Sequence, residues 1–162
     1  MAETKKKALF ICLGNTCRSP IAEGVFQKTV NERNLGDHWE IDSAAIQDWH
    51  VGDPPNWRSL DTMNNHNVPY NYNNTARQLV SQDFYYYDYI LGMDESNMWD
   101  LNRKAPEGTK AKLLLFGDFD PQGDRIIRDP YCDSDNKGFE KCYQQSVRCS
   151  QGFLDEVEKG NV

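Results

Sequence analysis

The sequence predicts an α/β fold: one domain spanning residues 1–162, built on a twisted parallel sheet of about four strands, with helices on both faces and an anion-binding loop after the first strand. Three observations predict it. Short apolar runs alternate with segments of helical period, as a parallel sheet with covered faces requires. The first run, residues 8–13, breaks at Gly14 and Asn15 and gives way to a helical pattern from Ser19. The 162 residues suit a single core, enough to bury about 70% of the surface exposed by the unfolded chain, and no repeat or low-complexity tail marks a second unit.

The elements follow in order. The strand at 8–13 leads to a helix over about 19–34, with Ser19 as its N-cap and Pro20 at its first position. A strand near 39–44 precedes an aperiodic loop, IQDWHVGDPPNW, and a helix over about 55–66. NYNN at 71–74 marks a turn-rich connection, followed by a strand at 88–93, a helix over about 95–103 and a strand at 112–117. In the terminal helix, about 137–158, Phe139, Cys142, Ser146, Phe153 and Val157 recur near helical period. Tyr85, Tyr86, Tyr87 and Tyr89 read as packing and edge-strand material, and Trp39, Trp57 and Trp99 as core or surface packing.

Residues 12–19, CLGNTCRS, carry the chemistry. A strand-to-helix loop leaves several backbone N–H groups without partners, and the helix dipole points into the same space, so an anion is the natural guest. Gly14 offers positive backbone angles to turn those amides inward, and Asn15 tolerates the left-handed region. Arg18 adds a planar cationic fork for two oxygens. A positive loop field is the setting of reactive cysteines, and Cys12 therefore reads as a nucleophile aimed at a bound phosphoryl group. A second cysteine–arginine pair at the same spacing, Cys142 and Arg148, lies in a continuous helical pattern without glycine and is accidental, because a helix cannot wrap its amides around an anion.

Having CLGNTCRSPIAE at 12–23, DSAA at 42–45, DYILGMDESN at 88–97, DLNRK at 100–104, DPY at 129–131 and a late YQQSVRC in order, nearly the whole chain resembles the low-molecular-weight protein tyrosine phosphatases. The resemblance implies that Cys12 forms a phosphocysteine, that Arg18 grips the phosphoryl oxygens together with the loop residues Leu13, Gly14, Asn15, Thr16, Cys17 and Ser19, and that Asp129 is the general acid. Asn15, Ser19 and Ser43 would form the supporting network, with Asn74 near the place where a histidine commonly joins it. No metal and no organic cofactor are implied. The chemistry is consistent: phosphoryl transfer needs an in-line nucleophile, a cradle for the equatorial oxygens and a proton for the leaving group. One carboxyl, Asp129, serves both half-reactions, and Pro130 holds it in extended backbone. Ser19 could cap the helix, assist the departing thiolate, or do both. Cys17 has two readings: a disulfide partner for Cys12 or a side chain filling space beneath the loop.

Preference among phosphoesters must come from the cleft walls, for which Trp49, with His50 beside it, and Tyr131 are the candidates. Thr16 departs from the aliphatic residue usual in tyrosine-specific members and matches the related protein-arginine phosphatases. Phosphotyrosine is the leading substrate, phosphoarginine the enzymatic alternative, and a catalytically inactive phosphate-recognition module the alternative of another class. Arsenate reduction lacks its relay, because residues 80–95 hold no cysteine.

With 18 Lys and Arg against 25 Asp and Glu, the net charge of −7 disfavours nucleic acid and anionic membranes as partners. The expected partners are phosphorylated proteins, with the cleft rim near Arg18 and other basic residues countering the overall sign. Lys5, Lys6 and Lys7 precede an apolar run too short for a secretory core or a membrane span. Five cysteines leave one unpaired and show no zinc spacing, so a reducing, cytoplasmic setting is expected. A monomer is the working expectation; no patch for self-association can be read from the letters.

Overall fold

The computed structural model describes residues 4–162. A four-stranded sheet in the order β2-β1-β3-β4 is parallel throughout. Its strands are β1 (Lys6–Cys12), β2 (Trp39–Ala45), β3 (Tyr89–Gly92) and β4 (Lys112–Leu115). The helices are α1 (Arg18–Glu32), α2 (Trp57–Asn65), α3 (Asp83–Tyr86), α4 (Glu95–Lys104) and α5 (Lys137–Glu158).

Period-two alternation along β1 sorts its side chains onto two cores. Ala8, Phe10 and Cys12 face α1, α2 and α5, where they meet Ile21, Val25, Met63 and Phe153. Leu9 and Ile11 face the opposite layer with Ile90, Phe84 of α3 and Leu101 of α4. Phe153 anchors the larger core, its ring centroid 5.5 Å from Phe26 and 5.2 Å from Tyr89. Each buried aromatic contributes roughly 1.5–3 kcal/mol through area removed from water.

β1 is a central strand paired on both sides, so the lysine-led apolar run is sheet core. The chain leaves β1 toward β2 on one side and returns to β3 on the other. That reversal of direction opens a crevice at the carboxyl end of β1, where ligands of open α/β sheets gather.

The structure corrects several boundaries. The tyrosine tract is no edge strand: β3, carrying buried Tyr89, lies inside the sheet, and the residues before it form the short helix α3, with Tyr85 and Tyr86 exposed. Asp83 makes that turn, its carboxylate accepting from Val80 N at 2.9 Å and from the Arg77 guanidinium. β4 ends at Leu115 and a 3₁₀ turn, Phe116–Phe119, replaces its expected last residues. At Gly117 a side chain would collide with the backbone oxygen of Arg125, so the strand's exit depends on a glycine there. α2 starts at Trp57, after Pro54 and Pro55, with Asn56 capping it through Arg58 N at 2.9 Å.

Candidate active site

Every part of the site hangs from the carboxyl end of a strand. The loop after β1 carries Cys12 to Arg18. Beyond β2, Ile46 N and Gln47 N donate to Cys12 O and Leu13 O, both at 3.0 Å, which lays the Trp49–His50 segment alongside that loop. Beyond β3, Met93 O accepts from Ile127 N at 2.9 Å and so brings Asp129 over the same opening. Cys12, Leu13, Gly14, Thr16, Cys17, Trp49, His50, Asp129 and Tyr131 all line one cleft of about 90 Å³. The nucleophile, acid and wall residues expected from sequence are thus brought together.

Inside the loop, Asn15 rather than Gly14 takes the left-handed conformation, at φ 58°. Its side chain has every group engaged. Oδ1 accepts from Arg77 N at 3.1 Å, while Nδ2 donates to Ser19 Oγ at 2.8 Å and to Ser43 Oγ at 3.0 Å. Gly14 lies close under His50 instead: a Cβ there would stand 2.9 Å from His50 Cδ2 and would push that ring aside. Asn15 N donates to Cys12 Sγ at 3.3 Å. Ser19 Oγ, which accepts from Asn15 Nδ2, also lies within hydrogen-bond distance of Cys12 Sγ, at 3.0 Å.

Ser19 is therefore not the helix cap. α1 begins at Arg18, preceded by Cys17, which makes no side-chain cap, and Pro20 falls within the first turn. In the turn that sequence rules assign to a serine cap, the serine hydroxyl lies against the Cys12 sulfur instead.

Arg18 is 2% exposed and does not form a basic rim. Nη1 donates to Asp94 Oδ2 at 2.6 Å and to Ile127 O at 2.9 Å, and Nη2 lies 3.7 Å from Asp129 Oδ2. Burial works against its charge, but the Cys12 sulfur and Asp94 outweigh that and raise its pKa further. Nε is buried without a protein partner. A buried donor of this kind is expensive to leave unmade, and in this position it is available to an oxygen in the loop. Asp94 also caps α4, accepting from Asn97 N at 2.7 Å, so one carboxylate fixes both helix and guanidinium.

Asn74 joins the network only at its far end. It donates to Glu23 Oε2 at 3.4 Å, and Glu23 Oε1 accepts from Ser43 Oγ at 2.5 Å. Sequence reasoning missed Glu23, Asp94 and Arg77. The available signal for Glu23 was an acid four residues after Ser19 on an otherwise apolar helix face. Burial pushes the Glu23 carboxyl up to about 7, with the Ser43 hydrogen bond opposing, Asp42 adding and Arg77 opposing. A carboxyl raised above its ordinary value contributes stability that is fully present below about pH 4.5 and is lost as pH rises through about 7. Glu23→Gln is expected to match the unmodified protein at pH 5 and to exceed it at pH 8 by of order 2 kcal/mol. Urea unfolding at both pH values checks this, and an equal difference at the two would contradict it.

Cys17 is buried, and burial first, then Cys12, push its thiol up to about 12. It packs in the core and lines the cleft, with Thr16 Oγ1 3.8 Å from its sulfur. Cys12 and Cys17 are both free thiols. Cys142 and Arg148 lie on α5, as their spacing in a helical pattern predicts, and Arg148 pairs with buried Asp120 through two contacts of 3.0 and 3.1 Å. No helix among the described residues is long and apolar enough to cross a membrane.

The chain is similar to known proteins over nearly its full length. The family model described as low molecular weight phosphotyrosine protein phosphatase matches residues 7–162. A human protein of that name is 48% identical over 160 residues, covering 97% of this chain and 99% of its own. A protein tyrosine phosphatase from Entamoeba histolytica superposes with a TM-score of 0.91 at 31% identity, covering 98% of this chain and 100% of its own. A Drosophila arginine phosphatase superposes with a TM-score of 0.87 at 37% identity, covering 93% and 97%.

Proposed function

The chain belongs to the low molecular weight phosphotyrosine protein phosphatase family, cysteine-dependent hydrolases, and from that premise we propose that it cleaves protein phosphotyrosine and small aryl phosphates through phosphocysteine at Cys12. The observation that carries the reading is the convergence of Cys12, Thr16, Trp49, His50, Asp129 and Tyr131 on one cleft above the Arg18 fork. Cys12 attacks phosphorus as the thiolate; the loop amides with Arg18 Nε and Nη2 hold the equatorial oxygens. Asp129 protonates the departing phenolate, then takes a proton from the water that attacks phosphocysteine. The Ser19 hydroxyl steadies the sulfur as it leaves. Cys17 is proposed as the partner of a reversible disulfide formed when a peroxide oxidises Cys12, and a reducing, cytoplasmic compartment is proposed because a thiolate nucleophile needs one.

Phosphoarginine is the second reading, favoured by Thr16 in the cleft lining and by the arginine phosphatase among the structural relatives. Against it, the Thr16 hydroxyl is already near Cys17 Sγ and the mouth is walled by two aromatic rings, His50 and Tyr131, 5.9 Å apart. Matched phosphotyrosine and phosphoarginine peptides are expected to differ in kcat/KM by at least about tenfold in favour of tyrosine. Thr16→Ile should leave the tyrosine value within about threefold, since it exchanges a hydroxyl that the phenyl ring does not use for an ethyl group that suits an aryl-binding wall. Faster phosphoarginine turnover that Thr16→Ile abolishes would reverse the assignment.

A further inference from the structure

We propose that Arg58 is a positioning residue for proton transfer: its guanidinium fork ties the acid loop, residues 129–133, to the nucleophile loop, and so sets the reach of Asp129 over Cys12. The inference rests on the assignment of Asp129 as the acid. The first turn of α2 sits on the nucleophile loop, where Asn56 N donates to Thr16 O at 2.8 Å and Ser59 Oγ to Cys17 O at 3.2 Å. From that turn Arg58 reaches across. Nη1 donates to Asp133 O at 2.7 Å and Nη2 to Tyr131 O at 2.8 Å.

The side chain is aimed by its own neighbours. Nε donates to Asn56 Oδ1 at 3.4 Å, and the guanidinium lies 4.5 Å over the Phe139 ring at the start of α5. Two parallel donors on a planar group define a direction as well as a distance, which a lysine ammonium cannot do.

The loop has few other ties to the site. At its upstream end Arg18 holds Ile127 O and Met93 O accepts from Ile127 N at 2.9 Å; Arg18 Nη2 approaches Asp129 Oδ2 only to 3.7 Å, and Asp129 Oδ1 accepts from Tyr131 N at 3.1 Å, a local turn. The bidentate Arg128–Asp133 pair joins the loop only to itself and is exposed, a class of contact worth little. Arg58 thus spans the gap between the backbone that carries the nucleophile and the backbone that carries the acid. Geometry errors near 1 Å at reacting groups cost about a hundredfold, so this span bears on rate.

The test is Arg58→Met, which keeps the stem over Phe139 and removes the fork, with Arg58→Lys read in the same way should the methionine variant fail to fold. Single-turnover phosphorylation of Cys12 is measured with aryl phosphates whose leaving phenols differ in acidity. With unsubstituted phenyl phosphate, which needs its leaving oxygen protonated, the rate is expected to fall about ten- to a hundredfold. With a nitrophenyl ester it should fall less than about threefold, and inhibition by inorganic phosphate should be unchanged. In an Asp129→Asn background, Arg58→Met should add nothing. Equal losses on both esters, or an additive loss in the Asp129→Asn background, overturn the inference. Failure of Asp129→Asn itself to steepen the dependence on leaving-group acidity would instead overturn the assignment of the acid.

Discussion

Cys12→Ser is expected to lower kcat on aryl phosphates by about 10⁵- to 10⁶-fold while inorganic phosphate still binds. The substitution is close to isosteric, and the position is well held. Asn15 N and Ser19 Oγ both address the sulfur, at 3.3 and 3.0 Å, and the same two groups can serve an oxygen. What changes is nucleophilicity. A serine hydroxyl attacks only with an adjacent general base, and Asp129, on the far side of the cleft beside Arg18 Nη2, is committed to the leaving group. Arg18 and the loop amides remain, so affinity for phosphate should change by no more than a few-fold. Steady-state turnover, phosphate inhibition and mass spectrometry of acid-quenched enzyme check the three parts. Phosphorus trapped on the unmodified protein and absent from the variant is the expected pattern. Equal turnover by the two proteins would remove Cys12 from the chemistry, and no turnover by either would leave a phosphate-recognition module as the better reading.

Sequence and structure agree where the determining contacts are local. β1, the loop and α1 form one contiguous stretch, so period, glycine and cysteine sufficed to place Cys12 and Arg18 at one strand end. α5 was legible to its last residue because ten buried positions recur along 22 residues of unbroken helix. α3 was not, since four residues carry no periodicity and the turn exists because Asp83 is held by Arg77 and capped onto Val80 N. The role of Gly14 was misassigned for a related reason: the constraint on it comes from His50, 36 positions away, and no local rule contains that contact. Asp129 was legible only through the family resemblance, an Asp-Pro pair being by itself a common turn. Glu23, Arg58 and Asp94 act through partners distant in the chain. Arg58 was hidden most deeply, because its partners are carbonyl oxygens 73 and 75 residues on, and carbonyls leave no mark in a sequence.

Arg18→Lys is expected to lower kcat/KM by about 10³- to 10⁴-fold with the fold retained, although the charge is kept. The guanidinium divides its donors between two tasks. Nη1 is committed to Asp94 and to Ile127 O, which leaves Nε and Nη2 to meet the phosphoryl oxygens. A lysine ammonium is a single point: seated on Asp94 it abandons the oxygens, and reaching for the oxygens it leaves Asp94 and Ile127 O without their donor. Either choice removes the bidentate grip on the charge that builds in the transition state, where such donors count most. The structural penalty is smaller, of order 1–3 kcal/mol for the lost hydrogen bonds, because Asp94 retains its capping bond from Asn97 N and is itself partly exposed. The two effects are separable. Thermal unfolding should shift by a few degrees, while kcat/KM on phenyl phosphate collapses and phosphate inhibition weakens. Asp94→Asn supplies the contrast, since its amide oxygen can still accept from Nη1, and it is expected to cost no more than about tenfold. A loss under tenfold for Arg18→Lys itself would mean that charge alone, without the fork, stabilises the transferred group.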